Sequence, residues 1–236
     1  MKHMIFALLL ATIPSAWGHQ DEPLQYRISL QFIEMPHATL TEILADQEKN
    51  GQRIHDKTMA LSKSGQAKML ETCLVVCRSG QKACTESVRE EIFPTEYEPP
   101  QLPFFRPPTP EEQAALPPPP LRHPSLRSAT AFEPRNTGMS LEVEATTSSG
   151  GMLELRLAPE WVTPLRVENW MKHVDQWGEA SVLMPTYEAL RFSSSIHIKP
   201  GQFEMVGLLT PKMRDQGPVV MRKIVVFVRA DILTNP

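Results

Sequence analysis

Hydrophobic and polar positions alternate with a period of two from Tyr26 to Phe32, where Tyr26, Ile28, Leu30 and Phe32 are separated by Arg27, Ser29 and Gln31. Successive side chains of an extended chain point to opposite faces, so this spacing predicts a half-buried strand, with Glu34 at its end. The period then lengthens. Leu40, Ile43 and Leu44 form an apolar stripe within 39–47, Thr39 and Glu42 fit a capping box, and Gly51 stands as a stop, which predicts a short amphipathic helix. A second helical turn or two is expected over 56–63, ended by Gly65. From Lys68 to Val88 the pattern reads as a hairpin bearing Leu74, Val75 and Val76 on one arm.

Further along, Leu141, Val143 and Ala145 alternate with Glu142 and Glu144, and Leu153, Leu155 and Leu157 alternate with Glu154 and Arg156. A three-residue loop, Ser148-Ser149-Gly150, would set Val143 opposite Leu155, Leu141 opposite Leu157 and Glu142 opposite Arg156, with one face buried and the other wet. Residues 162–186, flanked or occupied by Trp161, Trp170 and Trp177, read as a long connection. Three more strands are expected over 190–198, 202–209 and 219–228. The last holds Ile224-Val225-Val226-Phe227-Val228, apolar on both faces, as a central strand requires. The fold class is therefore mainly β with two short helices.

Proline is the outlier of the composition. Between Pro94 and Pro134 lie 13 of the 23 prolines, including the run 117–120. Proline cannot donate to a sheet ladder or continue a helix, so 94–134 is expected to be an extended, polyproline-like loop. It is either a partner-binding ligand or gate segment, or an insertion tolerated between strands.

The first eighteen residues run from Lys2 through an apolar stretch, Met4 to Pro14, to Ala16-Trp17-Gly18. That is the pattern of a signal peptide with a small-x-small cleavage site, and the apolar part falls short of the roughly 20 residues a spanning helix needs. Cleavage would leave His19 first. Without Lys2 the chain carries 23 basic against 27 acidic residues with the signs interspersed, which argues against a nucleic-acid partner or an anionic membrane surface.

An exported chain with three cysteines can form one disulfide. A turn centred on Gly80 and Gln81 would pair Cys77 with Cys84, whereas a turn centred on Ser79 and Gly80 would set Cys84 opposite Val75 and leave the bond unmade. The other reading of Cys73, Cys77 and Cys84 is as small buried hydrophobes. No metal, cofactor or catalytic constellation is expected. His173 and Asp175 with Glu179 could supply acid, base or ligands, but they read as a solvated polar face, and His19 as an incidental residue after the cleavage site. No nucleophile elbow, paired Cys-x-x-Cys or His-Glu-x-x-His pattern occurs, so the chain is not read as an enzyme. Trp161, Trp170 and Trp177 can form an interfacial belt or pack onto the sheet. Glu34 can line a pore or simply end a strand, and Ser193, Ser194 and Ser195 read as the polar start of a strand.

The order of these elements, with several local motifs, resembles the C-terminal secretin domain of type II and type III secretion channels, closest to divergent short forms of planctomycete and verrucomicrobial kind. Tyr26 to Glu34 resembles its opening strand. Gly80-Gln81-Lys82-Ala83, followed by Val88-Arg89-Glu90 and Phe93-Pro94, resembles the family's Gly-Gln-x-Ala turn and proline-marked strand end. Asn136 to Glu144, with Gly138, resembles the next strand. Pro200-Gly201-Gln202, with Val206-Gly207-Leu208-Leu209, resembles the turn and strand that bear the family's Gly-Gly-Leu, and Arg222 to Ile232 its closing strand. Val206 departs from the first Gly of that pair. A short link, Pro211 to Pro218, replaces the longer family segment that meets the outer membrane.

The resemblance implies an organisation of signal peptide (1–18), an N-terminal part of a secretin-like domain (19–93), a proline-rich loop (94–134) and a C-terminal β part (135–236), without the family's N-terminal docking domains. It implies structural roles for Gly80, Gln81, Ala83, Gly138, Gly201, Gly207 and Leu208. It further implies a homo-oligomeric ring in the outer membrane or periplasm of a Gram-negative-type bacterium, self-association, contact with other secretion or envelope proteins, and no cofactor. The alternative is a periplasmic secretin-derived β-domain that forms no pore and binds a protein through its proline-rich loop or a sheet edge.

Overall fold

The alternating segment forms β1 (Gln25–Pro36), and its two faces meet different neighbours. In the computed structural model, which describes residues 24–45, 50–98, 109, 128–175, 178–212 and 221–233, β1 is followed by α1 (His37–Ala45), α2 (Gly51–Lys63), β2 (Lys68–Arg78), β3 (Lys82–Glu98) and β4 (Ser128–Thr147). Then come β5 (Leu153–Asp175), β6 (Gly178–Arg191), β7 (Ser194–Ile198), β8 (Phe203–Leu209) and β9 (Arg222–Leu233). All pairings are antiparallel. The first sheet has the order β2-β1-β9-β8; the second has β3-β4-β5-β6, with β7 also paired to β5. The fold is mainly β with two short helices, as expected.

Tyr26, Ile28, Leu30 and Phe32 of β1, with Ile224, Val226, Val228 and Ala230 of β9, face the second sheet and pack on Leu141, Val143 and Ala145 of β4 and on Leu153, Leu155 and Leu157 of β5. This is a β-sandwich core. Phe32 meets Trp161 edge to face, with ring centroids 5.8 Å apart. The other face of the first sheet offers Ile33, Met35, Val225 and Phe227, which α1 and α2 cover with Leu40, Ile43 and Ile54. A central strand under two layers must be apolar on both sides, and β9 is buried throughout Ile224–Val228.

The helix α2 begins earlier than its pattern suggests. Asn50 caps it, its side chain accepting from the Arg53 amide, so Gly51 opens this helix and does not stop the one before. Gly51 lies so close to β8 that a Cβ would fall 2.7 Å from Glu204 Cα and 2.8 Å from the Phe203 carbonyl oxygen. The Gln52 side chain accepts from the Phe203 amide, and the ring of His55 stacks on Phe203 at 3.7 Å. Similarly, α1 starts at His37, which places Thr39 inside it and not at its cap.

Three expectations are corrected by the topology. β2 and β3 do not pair as a hairpin: β2 pairs with β1, β3 with β4, and the chain crosses between sheets at Ser79-Gly80. There, successive amides part company, Ser79 donating to the Leu24 carbonyl of the first sheet and Gly80 to the Ala145 carbonyl of the second. The register that would bring Cys77 to Cys84 is therefore not formed. Residues 162–175 and 178–186 are no connection but lie in the paired strands β5 and β6. Finally, the β4–β5 register is two residues from that predicted. Val143 faces Leu157 and Glu144 faces Arg156, because the turn spans Ser148 to Met152 with a short 3-10 segment over Ser149–Gly151. A shift of two keeps every side chain on its expected face.

Candidate assembly surface

The two sheets differ in length. β4 and β5 pair only as far as Gly138–Val162, yet β3–β4 continue to Glu98–Ser128 and β5–β6 to Asp175–Gly178. Two hairpin arms thus project beyond the sandwich. Ladder pairing reaches into the proline-rich segment at both ends, with Pro94 opposite Phe132 and Ile92 opposite Pro134; most of 99–127 lies outside the described residues. Isolated two-stranded hairpins are marginal in water, and these arms expose what a hairpin would bury. Ile92 is 67% exposed, Phe132 57%, Val167 64% and Trp170 70%, with Met171 and Leu183 also exposed.

The strand edges are open as well. Among the described residues β2 and β8 bound the first sheet, and β3 on one side with β6 and β7 on the other bound the second, each with strand pairing on one side only. An unpaired edge presents a row of amide and carbonyl groups ready to accept another strand. Toward the sandwich the outer face of the second sheet is polar. Lys82 bonds Glu142 at 2.6 Å, Arg156 contacts Glu154 and Arg191 lies 3.9 Å from Glu160. These are exposed pairs, screened by solvent, and they contribute little to stability. An open depression of about 390 Å³ there is bordered by Lys82, Glu142, Glu144, Arg156 and Ser193–Ser195. Along the arms, by contrast, Ile92, Phe132, Val167, Trp170, Met171 and Leu183 are exposed, and on the first sheet so are Leu74 and Val76 of β2 and Leu208 of β8.

The residues singled out from sequence fall into distinct places. Gly80 and Gln81 form the crossover turn, and Ala83 packs against the sandwich core. Gly138 has φ 121°, and a Cβ there would lie 2.2 Å from the Ser87 carbonyl oxygen, so β4 can press against β3 only with glycine at this position. Gly201 makes the β7–β8 turn, its amide bonding the Ala230 carbonyl. Gly207 receives the ring of Phe192, whose nearest atom is 3.1 Å from where a Cβ would stand, while Leu208 next to it points outward and is exposed.

Cys73, Cys77 and Cys84 are free thiols, half-buried, buried and exposed in turn. Burial pushes the thiols of Cys73 and Cys77 above the ordinary value, and desolvation with the carboxylates of Glu86 and Glu142 does the same for Cys84. A raised pKa disfavours the thiolate and hence nucleophilic or metal-binding use. Glu34 is held by Arg222 at 3.1 Å. Trp161 belongs to the core, Trp170 stands exposed on the β5 arm, and Trp177 lies outside the described residues, as does His19. The backbones of His173, Asp175 and Glu179 sit at the tip of the β5–β6 arm. Among the described residues no group of three or more His, Cys, Asp or Glu side chains is placed to hold a metal, and no helix is long and apolar enough to cross a membrane.

No protein-family model matches the chain, and no curated protein matches its sequence. Among solved structures the chain is similar to the secretin domain β-barrel of InvG from the Salmonella SPI-1 injectisome, with TM-score 0.45 and 10% identity over 91% of this chain and 64% of that one. It is also similar to the type II secretin GspD of enteropathogenic Escherichia coli, with TM-score 0.43, 12% identity and coverage of 90% and 70%. The Vibrio cholerae type IV competence pilus secretin PilQ follows with TM-score 0.41 and 10% identity over 90% of this chain and 62% of that one. The chain spans less than two thirds of the InvG and PilQ chains to which it is similar.

Proposed function

We propose that the chain is a secretin-like component of the cell envelope, exported by its signal peptide and built as a subunit of a homo-oligomeric ring in or beneath the outer membrane that serves protein secretion or transport. The observation that carries this reading is the pair of arms beyond Gly138–Val162, with exposed Ile92, Phe132, Val167 and Trp170 between two open edges. Ring closure satisfies both needs at once, since each copy's β3 edge and β6 edge gain neighbours and the arms stand in a continuous wall. The order of sequence motifs supports the same reading. Its chemistry is main-chain pairing, so the proposal includes no enzymatic step and no cofactor.

A second reading is favoured by the self-contained sandwich core, which one chain completes without a neighbour. In that reading the chain is a periplasmic β-domain that forms no pore and binds another protein through its proline-rich segment or a sheet edge. Light scattering and negative-stain imaging of the protein extracted from envelopes in mild detergent separate the two. Rings support the first reading; a detergent-free monomer overturns it.

A further inference from the structure

Resting on the ring reading, we propose that the isolated chain latches its own two arms together, and that the contact of Tyr187 with Glu91 and Phe93 must open before the β3 and β6 edges accept neighbouring copies. β3 and β6 are the outermost strands of the four-stranded path. In a flat sheet three strand spacings would separate them by about 14 Å. Yet the Tyr187 hydroxyl donates to the Glu91 carboxylate at 3.2 Å, and the Phe93 and Tyr187 ring centroids lie 6.1 Å apart.

The second sheet is therefore curled on itself beyond the sandwich. Two features permit this. β4–β5 pairing stops at Gly138–Val162, which frees each arm to swing, and Gly138 holds β4 against β3 at the point of departure. Partial burial and the Glu91 carboxylate raise the Tyr187 pKa, so the hydroxyl stays protonated and remains a donor across the physiological range. Arg135, opposite Glu91 on β4, lies close enough to act on the same hydroxyl.

The arrangement has a use. Open edges are a hazard to a chain in transit, because they template pairing with any extended segment. A curled second sheet masks β3 with the chain's own β6 arm by side-chain contacts alone, leaving the main-chain groups unspent. The wall of a ring needs the same strands uncurled, so latch and ring contact exclude each other.

The test uses the full chain in two forms. Tyr187→Phe removes the donor and keeps the ring. Starting from detergent-held monomer, its assembly rate by light scattering is expected to rise about tenfold over the parent, the scale of one hydrogen bond to a charged acceptor. In the second form the three native cysteines are replaced by serine, Arg89→Cys and Ala189→Cys are introduced two residues along from the latch so that Glu91, Phe93 and Tyr187 are kept, and a short bismaleimide is added to the monomer. Rapid intrachain cross-linking is expected, and the linked chain should fail to assemble while the unlinked one proceeds. An unchanged rate for Tyr187→Phe together with full assembly of the linked chain overturns the latch and leaves the ring standing. Failure of parent, Tyr187→Phe and unlinked chain alike to assemble overturns the ring reading and the gating role with it. Absence of the intrachain cross-link from a monomer that does assemble overturns the latch alone.

Discussion

At Gly138 the backbone has φ 121° and no room for a Cβ beside Ser87, so Gly138→Ala forces both a rare backbone conformation and a displacement of β3. The expected cost is about 2 kcal/mol or more in urea unfolding, against about 1 kcal/mol for Gly150→Ala, where φ is 76° but a Cβ would meet nothing. Phe32, fully buried and packed on Trp161, should cost about 3–5 kcal/mol as Phe32→Ala, measured the same way. His55 adds a pH dependence. Its ring is stacked on Phe203 and bonded through Nε2 to Gln31 at 2.9 Å, while Asp56 stands 3.7 Å from Nδ1 and Arg229 acts on it from β9. Burial lowers its pKa from the usual 6.5, against the opposing pull of Asp56. The unfolded chain therefore takes up a proton first as pH falls. The stability His55 contributes is complete above about 6.5 and declines as pH drops toward its folded value, and His55→Gln should flatten that part of the profile. Thermal melts between pH 7.5 and 5 check this.

Among the elements, those with one clean period are legible in the sequence alone. β1, β9 and the inner face of β4–β5 follow directly from alternation, because burial on one face, or on both, leaves an unambiguous pattern. The β5–β6 arm escapes because Pro164 and Pro185 and two register shifts, Pro164/Arg166 and Asn169/Met171, break the period, and because exposed Val167 and Trp170 obey no in-out rule for a lone chain. The crossover at Ser79-Gly80 escapes for another reason: a tight turn between two strands looks the same whether they pair with each other or with different sheets. That distinction is measurable. In the folded, reduced protein exposed Cys84 should react with a maleimide, at a rate slowed by its raised pKa, whereas Cys77, 5% exposed, should react only on unfolding. On the arms, Val167→Thr and Trp170→Ser should leave monomer stability within about 0.5 kcal/mol, since neither side chain is buried, but reduce assembly and detergent binding. Equal losses of stability and assembly would place these residues in the monomer's core instead.

For the whole molecule, three layers divide the labour. Helices cover one face of the first sheet, the two sheets share the sandwich core, and the second sheet runs on past the core into arms that one chain leaves uncovered. The body explains why a single copy folds; the arms and open edges are what it offers to others. The central claim, that β3 and β6 are the strands by which copies join, is tested most directly by amide hydrogen exchange on assembled particles and on monomer side by side. The outward amides of β3 over 84–94 and of β6 over 183–191 should exchange rapidly in the monomer and become protected on assembly, with the sandwich strands β1 and β9 slow in both. Protection that appears only on α1, α2 or β2, with β3 and β6 still exchanging freely in the assembled state, would contradict the account.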